Sequence, residues 1–394
     1  MADPTPLPVL RGRGAAWNPP NRFERLHVER EHWTDPDDPA PETVLLSDAT
    51  RSILAFNDSP DVGFDVGINP YRGCGHGCAY CYARPTHEYL GFSAGLDFET
   101  KILVKRDAPE LLRKALSSKK WRPRVIALSG NTDAYQPVER RLRITRRCLE
   151  VLAEFRNPVA VVTKSYLVSR DVDLLSQLAG HDAAAVVLSV TTLRNEVQRV
   201  MEPRASTPAR RLGAIRVLAD AGIPVGVNVA PVVPGLTDHE LPAILEAAAA
   251  AGATFAGYIL LRLPHGVKDL FETWLKQHFP ERKDKVLNRV RDMRGGRLYD
   301  ARYEVRGRGE GPWAEQLRSL FRVTTAKLGL RRTPTLSAEA FLAPAEAFRA
   351  LAEGRRDVGS VPQLELFQEA GLRGRPGSAP GGRPRSRRTS TGSS

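Results

Sequence analysis

Sulfur is scarce in this chain, with 4 cysteines and 3 methionines among 394 residues. Three of the cysteines fall within eight residues, so a scaffold stapled by disulfides is excluded, and metal or redox chemistry in a reducing compartment is expected. Long apolar runs are also missing. The longest, from Ala243 to Leu261, contains Glu246 and is interrupted by Gly252 and Thr254. It parses as an amphipathic helix, a turn and a buried strand, and no membrane span is predicted. The opening string MADPTPLPVLRGRGAAW sets prolines and arginines where an export leader needs an apolar segment, so a cytoplasmic location is expected. Acidic residues are absent from Gly371 onward, where Arg373, Arg375, Arg383, Arg385, Arg387 and Arg388 supply nearly half of the formal net charge of +13. The remainder is only moderately basic, and a charge-based case for a polyanionic partner weakens accordingly.

Up to about Pro60 the chain mixes Pro, Asp, Arg and scattered aromatics without a period, which predicts an irregular N-terminal extension over 1–60 that packs through Trp17, Phe23 and Trp33. From about Gly63 short β-branched runs appear: Val66–Asn69, Val125–Leu128, Val159–Thr163, Ala185–Val190, Val225–Ala230 and Tyr258–Leu261. Their near-continuous hydrophobicity suits strands covered on both faces. Helical patterns alternate with them at Glu139–Phe155, Asp171–Ala179, Pro208–Ala221 and His239–Ala251, and in the first of these Ile144, Cys148, Val151, Leu152 and Phe155 share one face. Six strands alternating with helices predict an α/β fold, an open, partial (β/α)6 barrel over 61–263. Amphipathic segments at Leu270–His278, Lys283–Met293 and Trp313–Leu328 predict a C-terminal helical region over 264–370 that covers the open side. The Gly, Pro, Ser and Arg content of 371–394 reads as a disordered tail.

The stretch INPYRGCGHGCAYCYARP gives Cys74, Cys78 and Cys81 the spacing C-x3-C-x2-C just after a candidate strand. Three thiolates can bind three irons of a cube and leave the fourth without a protein ligand. Gly73, Gly75 and Gly77 ease the tight curl such a loop needs. The same triplet can also hold zinc, with His76 or Cys148 as fourth ligand, in a non-catalytic protein attached to nucleic acid. Cys148, on the apolar face of its helix, reads as a core residue, and His76 as a loop residue.

The spacing, together with Tyr80 before the third cysteine, resembles the signature of the radical S-adenosylmethionine (SAM) superfamily. That resemblance implies a 4Fe-4S cluster on Cys74, Cys78 and Cys81. SAM would chelate its open iron and be cleaved to a 5′-deoxyadenosyl radical, which takes a hydrogen atom from substrate. It also implies a reductant such as flavodoxin or ferredoxin. From about Asn69 to Leu261 the fuller match is to the spore photoproduct lyase group. In ALSGNTDAYQPVE, Thr132 and Asp133 match the pair at the SAM amino group, though Asn-Thr-Asp before a helix is also a capping sequence. In VVTKSY, Lys164 looks like the lysine that pairs with the SAM carboxylate. In LSVTT, Ser189 matches a serine near the ribose, with Thr191 a second candidate. Asn228, with the turn at Pro234 and Gly235, is expected beneath adenine, and Arg199, Glu202 and Arg204 in RVMEPR form either a charged rim or surface ion pairs. Tyr80 and Tyr82 match the two tyrosines beside the third cysteine, with Tyr82 as the candidate for a catalytic radical relay.

One departure matters more than the matches. The lyase's hydrogen-donating cysteine corresponds here to Gly130, so dimer repair does not carry over. A nucleic-acid substrate is implied only by the family, by the string RRLRITRR from Arg140 to Arg147 and by the arginine tail.

Overall fold

The structure is a computed structural model that describes residues 9–24 and 41–350. Ten strands are described: β1 (Val44–Ser47), β2 (Leu54–Phe56), β3 (Val66–Ile68), β4 (Tyr71–Arg72), β5 (Lys101–Val104), β6 (Ile126–Leu128), β7 (Val159–Thr163), β8 (Ala184–Ser189), β9 (Val225–Val232) and β10 (Phe255–Leu260). The main sheet runs in the order β10-β9-β8-β7-β6-β3-β2. Its first six members are parallel, in registers such as Val66 with Ile126 and Val159 with Ala184, and β2 closes one edge in antiparallel pairing to β3. The six parallel strands are the six expected from the hydrophobic runs. Sequential neighbours joined by helices are the parallel β/α coil, which gathers the loops after each strand at one end.

The helix of Ile144–Phe155 shows how local sequence and packing agree. Ile144, Cys148, Leu149, Val151, Leu152 and Phe155 are all buried on one face against the sheet, so Cys148 is the core residue the pattern predicted. The pattern also predicted one helix from Glu139 to Phe155, but the chain breaks at Arg143, where φ is 52°. The reason is Glu139. Its buried carboxylate accepts from the amides of Thr145 (3.0 Å) and Arg146 (3.3 Å), satisfying donors that the new helix start leaves free, and pairs with Arg170 at 2.7 Å.

Two short strands lie in the stretch expected to be irregular. β1 pairs in parallel with β5, and β4 pairs antiparallel with β5, forming a separate three-stranded sheet. β4 stands between β3 and the cysteines, so this second sheet leads directly into the cysteine loop. Trp17 packs on a small cluster of Ala15, Leu96 and Leu270, whereas Phe23 is exposed; Trp33 and the arginine tail lie outside the described residues. The helices at Val267–His278 and Lys283–Asp292 bury Phe271, Trp274, Leu275, Val286 and Val290 against Val233, Leu261 and Leu263, which follow β9 and β10. Ala79 and Tyr80 of the cysteine loop belong to the same apolar cluster. Among the described residues no helix is long and apolar enough to cross a membrane.

Candidate active site

The cysteine loop is fastened on three sides. On the first, the Cys74 amide donates to the Phe98 carbonyl (2.9 Å) and the Gly75 amide to Gln136 Oε1 (2.8 Å). Gln136 Nε2 in turn donates to the Gly73 carbonyl (3.1 Å), as does the Thr132 hydroxyl (2.6 Å). On the second, the Ala79 amide donates to Met201 (3.0 Å). On the third, Arg84 donates to the Cys78 carbonyl through Nε (3.1 Å) and Nη2 (2.8 Å) and pairs with Glu99, both side chains fully buried. Glu99 also accepts from the amides of Gly14 (3.1 Å) and Ala15 (2.9 Å), which ties an N-terminal arm across the loop. The arm lies so close that a Cβ on Gly14 would stand 1.8 Å from the Gly77 carbonyl oxygen, so only glycine fits.

The three sulfurs influence one another. Burial pushes the thiols of Cys78 and Cys81 up; Glu202 adds to this at Cys78 and Cys74 at Cys81, while Lys164 opposes it at both. Buried thiols become thiolates when a cation compensates them, which is the chemistry of an iron site. Cys74, Cys78 and Cys81 are all free thiols on one loop, the donor set a cube needs when it takes one thiolate per iron.

Asp133, from the loop after β6, organises the strand ends. Its Oδ1 accepts from the Thr163 hydroxyl (2.7 Å) and the Tyr135 amide (2.9 Å), and its Oδ2 accepts from the Lys164 amide (2.8 Å) and faces His76 Nδ1 at 3.4 Å. These donors fill the directions a carboxylate offers. Burial acts against both charges, yet pairing prevails: His76 is raised to about 9 by Asp133 and Cys74, and Asp133 is lowered to about 2 by His76. Sequence reasoning took His76 for a loop residue. It does lie in the loop, but it is buried against Asp133, and Asp133 and Cys74 both favour its charged form. Thr132 and Asp133 thus both serve the loop and its surroundings directly.

Neither the rim nor the surface ion pairs expected of Arg199, Glu202 and Arg204 form among the described residues. Arg199 and Arg204 are exposed, but Glu202 is fully buried and paired with buried Arg211. It also accepts from the Tyr80 hydroxyl and lies 2.7 Å from Thr191 Oγ1. Burial pushes the Glu202 carboxyl up, but Arg211 and Lys164 outweigh it and keep it low. Tyr80 is therefore held from behind by a buried ion pair, and Thr191 belongs to that network. Arg211 fixes the end of β8 as well, donating to the Ser189 carbonyl at 3.0 Å.

Two side chains wait for partners. Lys164, at the end of β7, is half-buried with its ammonium 5.8 Å from the Tyr80 ring centre, and among the described residues it has no ion-pair partner. Asn228 Oδ1 on β9 is buried with no hydrogen-bond partner. An unpaired ammonium and an orphaned acceptor fit a ligand that brings a carboxylate and an N–H donor. Tyr82 is 45% exposed, donates to the Gly130 carbonyl and lies under the Arg262 guanidinium at 4.9 Å. The residues missed from sequence were Arg84, Glu99, Gln136 and Arg211, which stand among other polar or charged residues and give no local signal of burial.

Comparison with known proteins agrees with this arrangement. The description "Radical SAM superfamily" matches residues 68–248. An uncharacterized protein of Mycobacterium tuberculosis (strain H37Rv) is 37% identical over 244 residues, covering 61% of this chain and 71% of that protein. Another, from Methanocaldococcus jannaschii, is 27% identical over 236 residues, 60% of this chain and 84% of its own length. Among solved structures, spore photoproduct lyase complexed with dinucleoside spore photoproduct shares the fold at a TM-score of 0.53 and 19% identity, over 73% of this chain and 80% of that one. The chain belongs to the radical SAM superfamily, whose members use a 4Fe-4S cluster and SAM.

Proposed function

We infer that this radical SAM enzyme cleaves SAM reductively at a cluster on Cys74, Cys78 and Cys81 and directs hydrogen abstraction from a substrate at the barrel mouth. When bound, the cluster and SAM supply the electron and the sulfonium bond whose cleavage gives the 5′-deoxyadenosyl radical. The single observation that carries the reading is Lys164, a half-buried, unpaired ammonium at a strand end whose charge reaches Cys78 and Cys81. It would take the SAM carboxylate. Asn228 Oδ1 would accept from the adenine amino group, and Ser189, buried at the end of β8, would stand by the ribose. Tyr80 backs the loop, Thr132 and Asp133 hold its geometry, and the exposed Tyr82 is the residue here that can carry a radical toward solvent or substrate.

The test is reconstitution with iron and sulfide without air, followed by reductant and SAM. A brown protein that forms 5′-deoxyadenosine is expected, and Cys78→Ala must abolish the product. A colourless, air-stable protein that holds zinc overturns the reading in favour of a non-catalytic metal protein. Nucleic acid is the first substrate class to test, because the lyase of known structure is complexed with a dinucleoside and because Arg140, Arg141, Arg143 and Arg147 are exposed. Binding to single-stranded and duplex DNA across a salt series, with and without residues 371–394, decides it: no affinity, or none without the tail, removes that class.

A further inference from the structure

A cleft of about 940 Å³ opens between the segments that follow β6 and β7 and the start of the Pro208–Asp220 helix. Its lining includes Arg140, Arg170, Arg204 and Arg210, and no carboxylate. Arg170 is spent on Glu139 and Asp171. Arg140, Arg204 and Arg210 are exposed and form no ion pair among the described residues; Arg210 lies over the Tyr166 ring at 4.6 Å. From the cysteine loop one side chain reaches this cleft, that of His76, which is buried two residues from Cys74 and faces Asp133 Oδ2 at 3.4 Å. Lys164, Ser189 and Asn228 do not line it.

That division separates two tasks. A substrate must meet the strand ends where those three residues stand, and none of the three lines this cleft. A partner in the cleft is instead one imidazole away from a cluster ligand, which suffices for an electron and not for an atom. A wall of free guanidinium groups attracts an acidic surface, speeds encounter and orients it. We propose that this cleft is the docking surface for an acidic, low-potential one-electron carrier, with His76 standing between the carrier and Cys74. The proposal rests on Cys74, Cys78 and Cys81 holding the cluster.

The probe is a flavodoxin in its anionic hydroquinone form, which loses one electron and becomes the neutral semiquinone while the oxidised cluster gains one; no proton is exchanged. Two quantities are measured on the cluster-loaded protein: flavodoxin binding, and the rate at which the cluster's visible absorbance bleaches. In the double variant Arg204→Glu, Arg210→Glu both are expected to fall at least tenfold. The wild-type rate is expected to drop as salt is raised, and the variant's rate to be flat. Bleaching by titanium(III) citrate, which needs no docking surface, stays unchanged. The proposal is overturned if flavodoxin reduces wild type and variant alike, or if both reductants slow equally. It is overturned too if the variant loses DNA affinity while flavodoxin reduction persists, which makes the cleft a nucleic-acid seat. Iron and sulfide content, measured beforehand, shows separately whether the cluster reading itself has failed.

Discussion

The hydroxyl of Tyr82 donates a hydrogen bond of 2.6 Å to the carbonyl oxygen of Gly130. These are the two positions that resemble a relay tyrosine and a donor cysteine in the photoproduct lyases, and here they meet through a backbone oxygen that carries no hydrogen to give. Gly130 has φ 139° and Ser129 φ 121°, a conformation that side chains resist. Nothing but Asn69 comes within 4.0 Å of a Cβ built there, so the backbone and not crowding opposes a side chain. Gly130→Cys is expected to lose about 1–3 kcal/mol of stability in urea unfolding, the cost of such strain, and to turn over no dinucleoside spore photoproduct. Turnover would mean that the loop re-forms around the new thiol.

The N-terminal arm gives a second expectation. Gly14→Ala forces a methyl against the Gly77 carbonyl, so it should lower the iron bound per chain after reconstitution while the far-UV circular dichroism stays native. Glu99→Ala leaves buried Arg84 without its partner and should cost about 3–5 kcal/mol. Iron content equal to wild type in Gly14→Ala would show that the arm does not restrain the loop.

Lys164→Met keeps the length of the side chain and removes its charge. A charge-assisted contact contributes about 1.5–3 kcal/mol, so SAM affinity, measured by equilibrium binding to the reconstituted protein, should fall by about tenfold to a hundredfold. Iron content, measured alongside, separates loss of the carboxylate contact from an effect on the Cys78 and Cys81 thiols, which the Lys164 charge lowers. An unchanged affinity would move the SAM carboxylate elsewhere.

His87 supplies a pH dependence away from the sulfurs. Burial lowers it to about 4, its Nε2 faces the Lys101 carbonyl at 2.9 Å, and its buried Nδ1 has no partner. A histidine whose pKa is lower folded than unfolded binds its proton in the unfolded chain first. Stability is therefore lost as pH falls from about 6.5 toward 4, by about 2 kcal/mol between pH 7 and pH 5. His87→Gln cannot titrate, so comparing denaturant unfolding at the two pH values should show that loss in wild type and not in the variant.

The parallel sheet was legible because its strands are buried on both faces, so Val159–Thr163 and Val225–Val232 carry unbroken apolar runs that need no partner to be recognised. β1, β2 and β4 were not. They are two to four residues long and mostly exposed or half-exposed, and β1 is defined by pairing with Lys101–Val104, far along the chain. In the site, the cysteine loop stood out by its spacing, whereas the burial of Glu202 did not: an acid between Met201 and Pro203 looks solvated until Arg211, on another helix, is seen to bury with it. His76 lies in the loop as expected, but its burial was not legible, because its partner Asp133 lies beyond the reach of local pattern.

The arm that crosses the cysteine loop precedes it in the chain, and the carboxylate that receives Gly14 comes 85 residues after it. It has nothing to close upon until the loop and Glu99 have both emerged. The loop is strapped on the arm's side only once Glu99 holds the Gly14 and Ala15 amides, so uncovering Gly77 again means breaking both of those bonds.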